Sequence, residues 1–145
     1  MNLTKHFTLA ELTISQEAAR RGLSNTPDPD ALENLKVLAS HLERVRELLG
    51  APVIITSGYR SPKVNSAVGG SRTSAHMQGL AADFICPGFG SPAEIVSKIV
   101  HSPIQFDQVI NEFGAWVHLG VSPSMRRQAL LATRKDGKVF YERIA

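Results

Sequence analysis

A histidine and an aspartate seven positions apart, His76 and Asp83, are the side chains best suited to chemistry in this sequence. They lie in the segment S-A-H-M-Q-G-L-A-A-D, which begins at Ser74. An imidazole nitrogen and a carboxylate oxygen are both donors that zinc accepts. A hydrolytic zinc site needs about three protein ligands and one open position for water. The third donor must therefore come from elsewhere, and His118, in an alternating apolar run, is the candidate.

Three further polar residues are candidates for binding a substrate. Arg60 follows the strand predicted over 53–56, and its planar guanidinium can hold a carboxylate or stabilise an oxyanion. An ordinary surface ion pair is the alternative for Arg60. Ser74 could contact substrate or could cap a local turn with its hydroxyl. Asn65 has the same two alternatives, substrate binding or turn capping.

Three motifs of the chain, S-G-Y-R-S at 57–61, S-x-H-x-x-G-x-A-x-D at 74–83 and W-V-H at 116–118, resemble those of the zinc D-alanyl-D-alanine carboxypeptidase superfamily. That group includes D,D-carboxypeptidases, D,D-dipeptidases, L-alanyl-D-glutamate endopeptidases of phage lysins and the hedgehog signalling domain. The resemblance implies that His76, Asp83 and His118 bind one Zn²⁺ ion and that Arg60 and Ser74 act beside it. It also implies a phage or prophage endolysin-type enzyme whose partners are peptidoglycan stem peptides.

The general base departs from the pattern of the superfamily. Many members carry it as Glu-x-x-His, three residues before the second histidine ligand, and here that position is Ala115. Glu112 is the nearest acid upstream, and a turn through Phe113-Gly114 would bring it near the metal. Asp107 is the other candidate, and we favour Glu112 as the catalytic base. The same departure supports an alternative function, a non-catalytic zinc-stabilised binding or virion-structural module of the same fold.

Length and composition restrict the class of protein. The chain has 145 residues, of which 43% are apolar and 20% charged, and these values are typical of a single globular domain over 1–145. The net charge of +3 is small, and no run of basic residues is interleaved with aromatic ones, so we expect no binding to nucleic acid. Cys86 is the only cysteine, which excludes an intrachain disulfide and a Cys-x-x-Cys metal site.

The N-terminal residues lack the apolar core of a signal peptide, and no segment has the length and apolar character of a membrane span. We therefore expect synthesis in the cytoplasm without a signal peptide. An enzyme of the cell wall would then act after release by lysis or after delivery by another factor. The sequence predicts no particular oligomeric state.

Capping patterns predict the helices that must position these residues. T-L-A-E at 8–11 and S-P-A-E at 91–94 are capping boxes. Asp28-Pro29 begins the longest predicted helix, which Gly50 ends. Strands are predicted at 53–56, 80–85, 106–110, 115–119, 127–133 and 138–141, the last two joined by an Asp136-Gly137 turn. The prediction is an α+β fold, in which N-terminal helices pack on a mainly antiparallel sheet that carries the zinc cleft.

Overall fold

The computed structural model describes residues 1–144 of the single domain predicted over 1–145, and in them it contains five α-helices, one 3₁₀ helix and six strands. The helices are α1 (Leu9–Leu12), α2 (Gln16–Arg21), α3 (Pro29–Leu49), α4 (Pro62–Ala67) and α5 (Pro92–Val100), and the 3₁₀ helix is Ala75–Gln78. The strands are β1 (Ile54–Ser57), β2 (Ala81–Ile85), β3 (Gln108–Glu112), β4 (Trp116–Gly120), β5 (Gln128–Lys135) and β6 (Lys138–Arg143).

Helix α3 is the main support of the core, and local signals fix both of its ends. The Asp28 side chain accepts a hydrogen bond from the Ala31 backbone N–H at 2.8 Å, with Pro29 in the first turn. Gly50 ends the helix with a φ of 66°, a left-handed conformation that glycine adopts without strain. The buried face of α3 comprises Ala31, Leu35, Leu38, Ala39, Leu42, Val45 and Leu49.

The capping boxes predicted at the starts of α1 and α5 are both present. The Thr8 and Ser91 side chains each accept a hydrogen bond from the backbone N–H three residues on, and the Glu11 and Glu94 carboxylates accept one from the backbone N–H of the cap residue. The sequence therefore predicts the starts of these helices through bonds that are entirely local.

The sheet has the strand order β1-β2-β4-β3-β5-β6. Every neighbouring pair is antiparallel except β3 and β5, which run parallel. Gln108, at the start of β3, pairs with both Gly120 and Gln128. The end of β4 and the start of β5 therefore both lie beside the start of β3. The connection between β4 and β5 crosses β3 at that end only. The predicted α+β fold with a mainly antiparallel sheet is confirmed.

The two faces of the sheet have different roles because successive side chains of a strand point in opposite directions. One face joins the buried core with α3 and α5, through side chains such as Phe84, Val109 and Val117. The opposite face carries polar side chains such as Asp83 and His118 into a cleft. Among residues 1–144, none of the helices combines the length and the apolar character needed to cross a membrane.

Candidate metal centre and active site

Three potential metal donors from separate elements meet in the cleft. His76 lies on the 3₁₀ helix, while Asp83 on β2 and His118 on β4 are cross-strand partners. The distance from His118 Nδ1 to Asp83 Oδ1 is 2.9 Å, and that from His76 Nε2 to the same oxygen is 3.4 Å. The three ligating atoms all lie within 4.8 Å of one another. The structure thus brings together the three residues predicted as metal ligands.

The distances from Asp83 to the two histidines are compatible with a tetrahedral zinc ion. Ligands bound at about 2.0–2.2 Å in a tetrahedron lie roughly 3.3–3.6 Å from one another, and these two distances are 2.9 and 3.4 Å. The Nδ1 of His76 lies 2.8 Å from the Gly58 carbonyl oxygen, an acceptor that places the ring proton on Nδ1. The other ring nitrogen, Nε2, faces Asp83 and is the atom that would bind a metal, a common arrangement for histidine ligands.

Asp83 is ionised in this environment. Burial raises the pKa of its carboxyl, but hydrogen bonds and charge from His118 and His76 outweigh burial and hold the pKa well below its ordinary value. A carboxylate that is already deprotonated binds a cation without first releasing a proton.

Two small residues of the S-x-H-x-x-G motif shape the turn that carries His76. The Ser74 hydroxyl accepts a hydrogen bond from the His76 backbone N–H at 3.2 Å and caps the 3₁₀ helix. Gly79 ends it with a φ of 74°, and a Cβ at this position would lie 2.5 Å from the Ala31 carbonyl oxygen. Glycine is therefore required for both the conformation and the close approach to α3.

Arg60 lies beside the metal donors in the same cleft. Its backbone N–H donates to the His76 carbonyl at 3.0 Å, and its Nη2 lies 3.5 Å from the Ser74 hydroxyl oxygen. Burial lowers the pKa of the guanidinium, while the charge of Asp83 raises it, and the net shift is downward from a very high ordinary value. Within residues 1–144 no acidic side chain forms an ion pair with Arg60. Its charge is thus available to a substrate, and its catalytic role stays a prediction.

Asn25 holds the loop that carries Arg60, and sequence reasoning missed it. Its Nδ2 donates to the carbonyls of Tyr59 at 2.9 Å and Thr13 at 2.8 Å, and its Oδ1 accepts from the Ser61 backbone N–H at 2.8 Å. The residues on both sides of Arg60 are therefore fixed by one side chain. Asn25 sits in a polar loop whose sequence carries no signal for contacts that lie 34 and 36 positions away.

Glu112 ends β3 and lines the same cleft as the metal donors. The predicted turn is present, since Phe113 and Gly114 have φ values of 60° and 69° and the Ala115 N–H donates to the Glu112 carbonyl at 2.9 Å. Burial raises the pKa of the Glu112 carboxyl, the charge of His118 lowers it and that of Asp83 raises it, with a net upward shift. A raised pKa makes a carboxylate a better proton acceptor near neutral pH.

Asp107, the other candidate base, lies in the cleft but is paired with a cation. The Arg126 guanidinium binds it through both oxygens, at 3.0 Å from Nε and 2.9 Å from Nη2. These bonds hold the pKa of Asp107 well below its ordinary value, so its carboxylate is a weak proton acceptor. This contrast supports Glu112 over Asp107.

Comparison with known families agrees with this geometry. The family model of peptidase M15 matches residues 5–120, a segment that contains the metal donors, Arg60 and Glu112. The chain belongs to the peptidase M15 family. This family is zinc-dependent, and membership supports a metallopeptidase. No curated protein matches the chain at a significant level.

Asn65 of this M15 peptidase is the one predicted substrate-binding residue that the structure does not bring into the cleft. It is buried, and its Nδ2 donates to the Ser71 carbonyl at 2.9 Å. A Cβ on Gly70 would lie 2.1 Å from Asn65 Oδ1. Asn65 thus closes the loop between α4 and the 3₁₀ helix, in line with the turn-capping alternative.

The cleft of the M15 peptidase has a volume of about 750 Å³, and side chains from five neighbouring strands form much of its lining. From the sheet these are Asp83, Gln108, Ile110, Glu112, Trp116, His118, Gln128, Leu130 and Tyr141. The last three lie on β5 and β6, beyond residue 120, where the family match ends.

Proposed function

We propose that this M15 peptidase is a zinc-dependent hydrolase of peptidoglycan stem peptides, either a D-Ala-D-Ala carboxypeptidase or an L-Ala-D-Glu endopeptidase. The observation that carries the proposal is the convergence of His76, Asp83 and His118 in a cleft that also holds Arg60 and Glu112. When bound, zinc would activate water for attack on the scissile peptide bond and polarise its carbonyl.

The side chains around the metal donors would supply the remaining chemistry. Glu112 would accept the proton of the attacking water and deliver it to the leaving amine. Arg60 would hold the negative charge that develops on the carbonyl oxygen, since among residues 1–144 its guanidinium forms no ion pair with a carboxylate. The Ser74 hydroxyl lies within 3.5 Å of Arg60 Nη2 and would keep the guanidinium turned towards the metal donors.

Cell-wall degradation for a phage or prophage is the role that we propose for this activity. The enzyme would be made in the cytoplasm and would reach peptidoglycan after lysis or with a delivery factor. Its small net charge of +3 would not oppose approach to an anionic wall.

Digestion of purified peptidoglycan tests the proposal, with the released fragments identified by mass spectrometry. Loss of a terminal D-alanine would assign the carboxypeptidase reaction, and separation of L-alanine from D-glutamate would assign the endopeptidase. A chelator should abolish either cut, and added zinc should restore it. Intact stem peptides after digestion with the zinc-loaded protein would contradict the proposal.

A non-catalytic zinc-stabilised module is the second candidate, and Ala115 is the observation that favours it. Ala115 occupies the position where many related enzymes carry the general base and cannot accept a proton. Binding of stem peptides or cell walls by the zinc-loaded protein, without cleavage, would support this second candidate.

A further inference from the structure

The β5–β6 hairpin forms a wall of the cleft that lies outside the segment matched by the family. Gln128, Leu130 and Tyr141 line the cleft from this hairpin. The hairpin is held firmly against the turn between β3 and β4. The Phe113 N–H donates to the Ala132 carbonyl at 3.0 Å, and the Arg134 guanidinium lies 4.7 Å from the centre of the Phe113 ring.

The strand register places Tyr141 in one row with Glu112. Glu112 pairs with Ala132 on β5, and Ala132 pairs with Tyr141 on β6. Neighbouring strands lie about 4.8 Å apart, so the Cα atoms of Glu112 and Tyr141 are roughly 10 Å apart. The small, fully buried Ala132 between them leaves room for the two longer side chains to approach each other.

One row of the cleft floor beside the metal donors is apolar, while Gln108, Glu112 and Gln128 on the same strands are polar. His118 pairs with Ile110 on β3, and Ile110 pairs with Leu130 on β5. An extended peptide covers about 3.3–3.6 Å per residue, so the three strand spacings from β4 to β6 correspond to about four substrate residues. A peptide cut at the metal centre would therefore reach Tyr141 through residues away from the scissile bond.

Tyr141 lines the cleft and exposes 56% of its surface, so its side chain is accessible to a bound peptide. Burial raises the pKa of its hydroxyl, and the charge of Glu112 raises it further, so the hydroxyl stays protonated and can donate at neutral pH. The side chain thus offers an apolar ring face and a hydrogen-bond donor to whatever lies in the cleft.

We propose that Tyr141 is a specificity-determining residue that contacts the peptide substrate two to four residues from the cut bond. Its ring would cover aliphatic side chains of the substrate that pack on Ile110 and Leu130. Its hydroxyl would donate a hydrogen bond to a carbonyl of the substrate peptide. This inference rests on the proposed function and adds the substrate subsite that the hairpin supplies.

Kinetics on soluble stem peptides test this inference, and Phe140 supplies a matched control. Phe140 is the neighbouring residue on β6, exposes 52% of its surface and points to the opposite face of the sheet. Tyr141→Ala should raise KM about tenfold with a smaller effect on kcat, because a contact made equally in the ground state and the transition state acts on KM. Tyr141→Phe should fall between the parent and Tyr141→Ala, and Phe140→Ala should match the parent.

Calorimetric titration of the same stem peptide into the Glu112→Gln protein gives a readout of binding that does not depend on turnover. Adding Tyr141→Ala should weaken binding about tenfold, and adding Phe140→Ala should not. If the parent cleaves the peptide and Tyr141→Ala and Phe140→Ala behave alike, the subsite is overturned while the proposed function stands. If the parent neither cleaves nor binds the peptide, the proposed function fails and the subsite fails with it.

Discussion

His76 contacts the site through three different groups, of which only one is needed to bind a metal. Its Nδ1 forms a hydrogen bond with the Gly58 carbonyl oxygen, its Nε2 faces Asp83, and its backbone carbonyl accepts a hydrogen bond from the Arg60 N–H. His76 therefore links the metal donors to the loop that carries Arg60. The roles of Glu112 and Arg60 around it can be separated by substitution.

Glu112→Gln should keep the fold and bound zinc but lose activity on peptidoglycan by a factor of about 10²–10⁴, the usual contribution of general acid–base catalysis. The amide keeps the size of the side chain but cannot accept a proton. Rates of stem-peptide release, with zinc content and thermal unfolding as controls, give the measurement. Asp107→Asn is the matched control and should retain parental kcat, because its carboxylate is already bound to Arg126. Parental activity of Glu112→Gln would remove Glu112 as the base.

Arg60→Ala should lower kcat more than it raises KM, because charge on the carbonyl oxygen develops in the transition state. Loss of one such donor typically costs a factor of about 10²–10³ in kcat. Arg60→Lys should recover little, since an ammonium lacks the planar fork. Steady-state kinetics on a soluble stem peptide separate the two constants. An unchanged kcat in Arg60→Ala would show that Arg60 is not part of the catalytic machinery.

At the scale of elements, the loop from 57 to 61 is positioned by groups from distant parts of the chain. Tyr59 donates its N–H to the Leu12 carbonyl at 2.7 Å, and Asn25 binds on both sides of Arg60. A Cβ on Gly58 would lie 2.2 Å from the Leu12 carbonyl oxygen, so this loop packs directly on the end of α1. The loop therefore has little conformational freedom, and the backbone of Arg60 is already in position before substrate binds.

Asn25→Asp should destabilise the protein and reduce kcat, because a carboxylate cannot donate to the Tyr59 and Thr13 carbonyls. Leaving such partly buried groups unpaired costs about 1–3 kcal/mol of the free energy of unfolding. Denaturant unfolding and steady-state kinetics are the measurements. Asn34→Asp is the control, because Asn34 donates a single exposed hydrogen bond, to the Gln78 carbonyl, and should have a smaller effect. A parental kcat in Asn25→Asp would show that its role is confined to stability.

Local signals in the sequence were enough to predict most elements. The caps at Thr8, Asp28 and Ser91 bond to residues only three positions away, so their effect is visible in the sequence. The parallel pairing of β3 with β5 was not predicted, because it depends on the path of the connection between β4 and β5.

The candidate site was predictable in part, because some of its residues lie in short sequence motifs and others reach it only in the folded chain. The motifs gave the metal donors, Arg60 and Ser74, and the predicted turn after Glu112 is present. Asn25 and Tyr141 were not predicted, because each reaches the site only through contacts between parts of the chain that are far apart in sequence. The role of each catalytic candidate stays a prediction until it is tested.

At the scale of the whole molecule, the metal donors tie together parts of the chain that meet only in the folded state. Removal of zinc by a chelator should therefore lower Tm, and added zinc should restore it. A ligand at 100 times its Kd stabilises the folded state by about 2.7 kcal/mol, which corresponds to roughly 5–10 °C for a protein of this size. Differential scanning calorimetry gives the measurement.

His118→Ala is the control for this prediction and should abolish the response of Tm to zinc. Metal analysis should find about one zinc per chain in the parent and little in His118→Ala. Full zinc retention by His118→Ala would contradict the assigned donor set, and so would a Tm of the parent protein that the chelator does not change.

The two hydrogen bonds between His76 and the residues at 58–60 join the metal donors to the loop of Arg60, and they offer a route for thermodynamic coupling between metal and substrate. If zinc fixes His76 and thereby raises the affinity of Arg60 for a peptide, the peptide must raise the affinity for zinc by the same factor, because the coupling free energy is shared. The enzyme would then hold its metal most tightly while a stem peptide occupies the cleft. Free of substrate, it would yield zinc more readily to competing chelators.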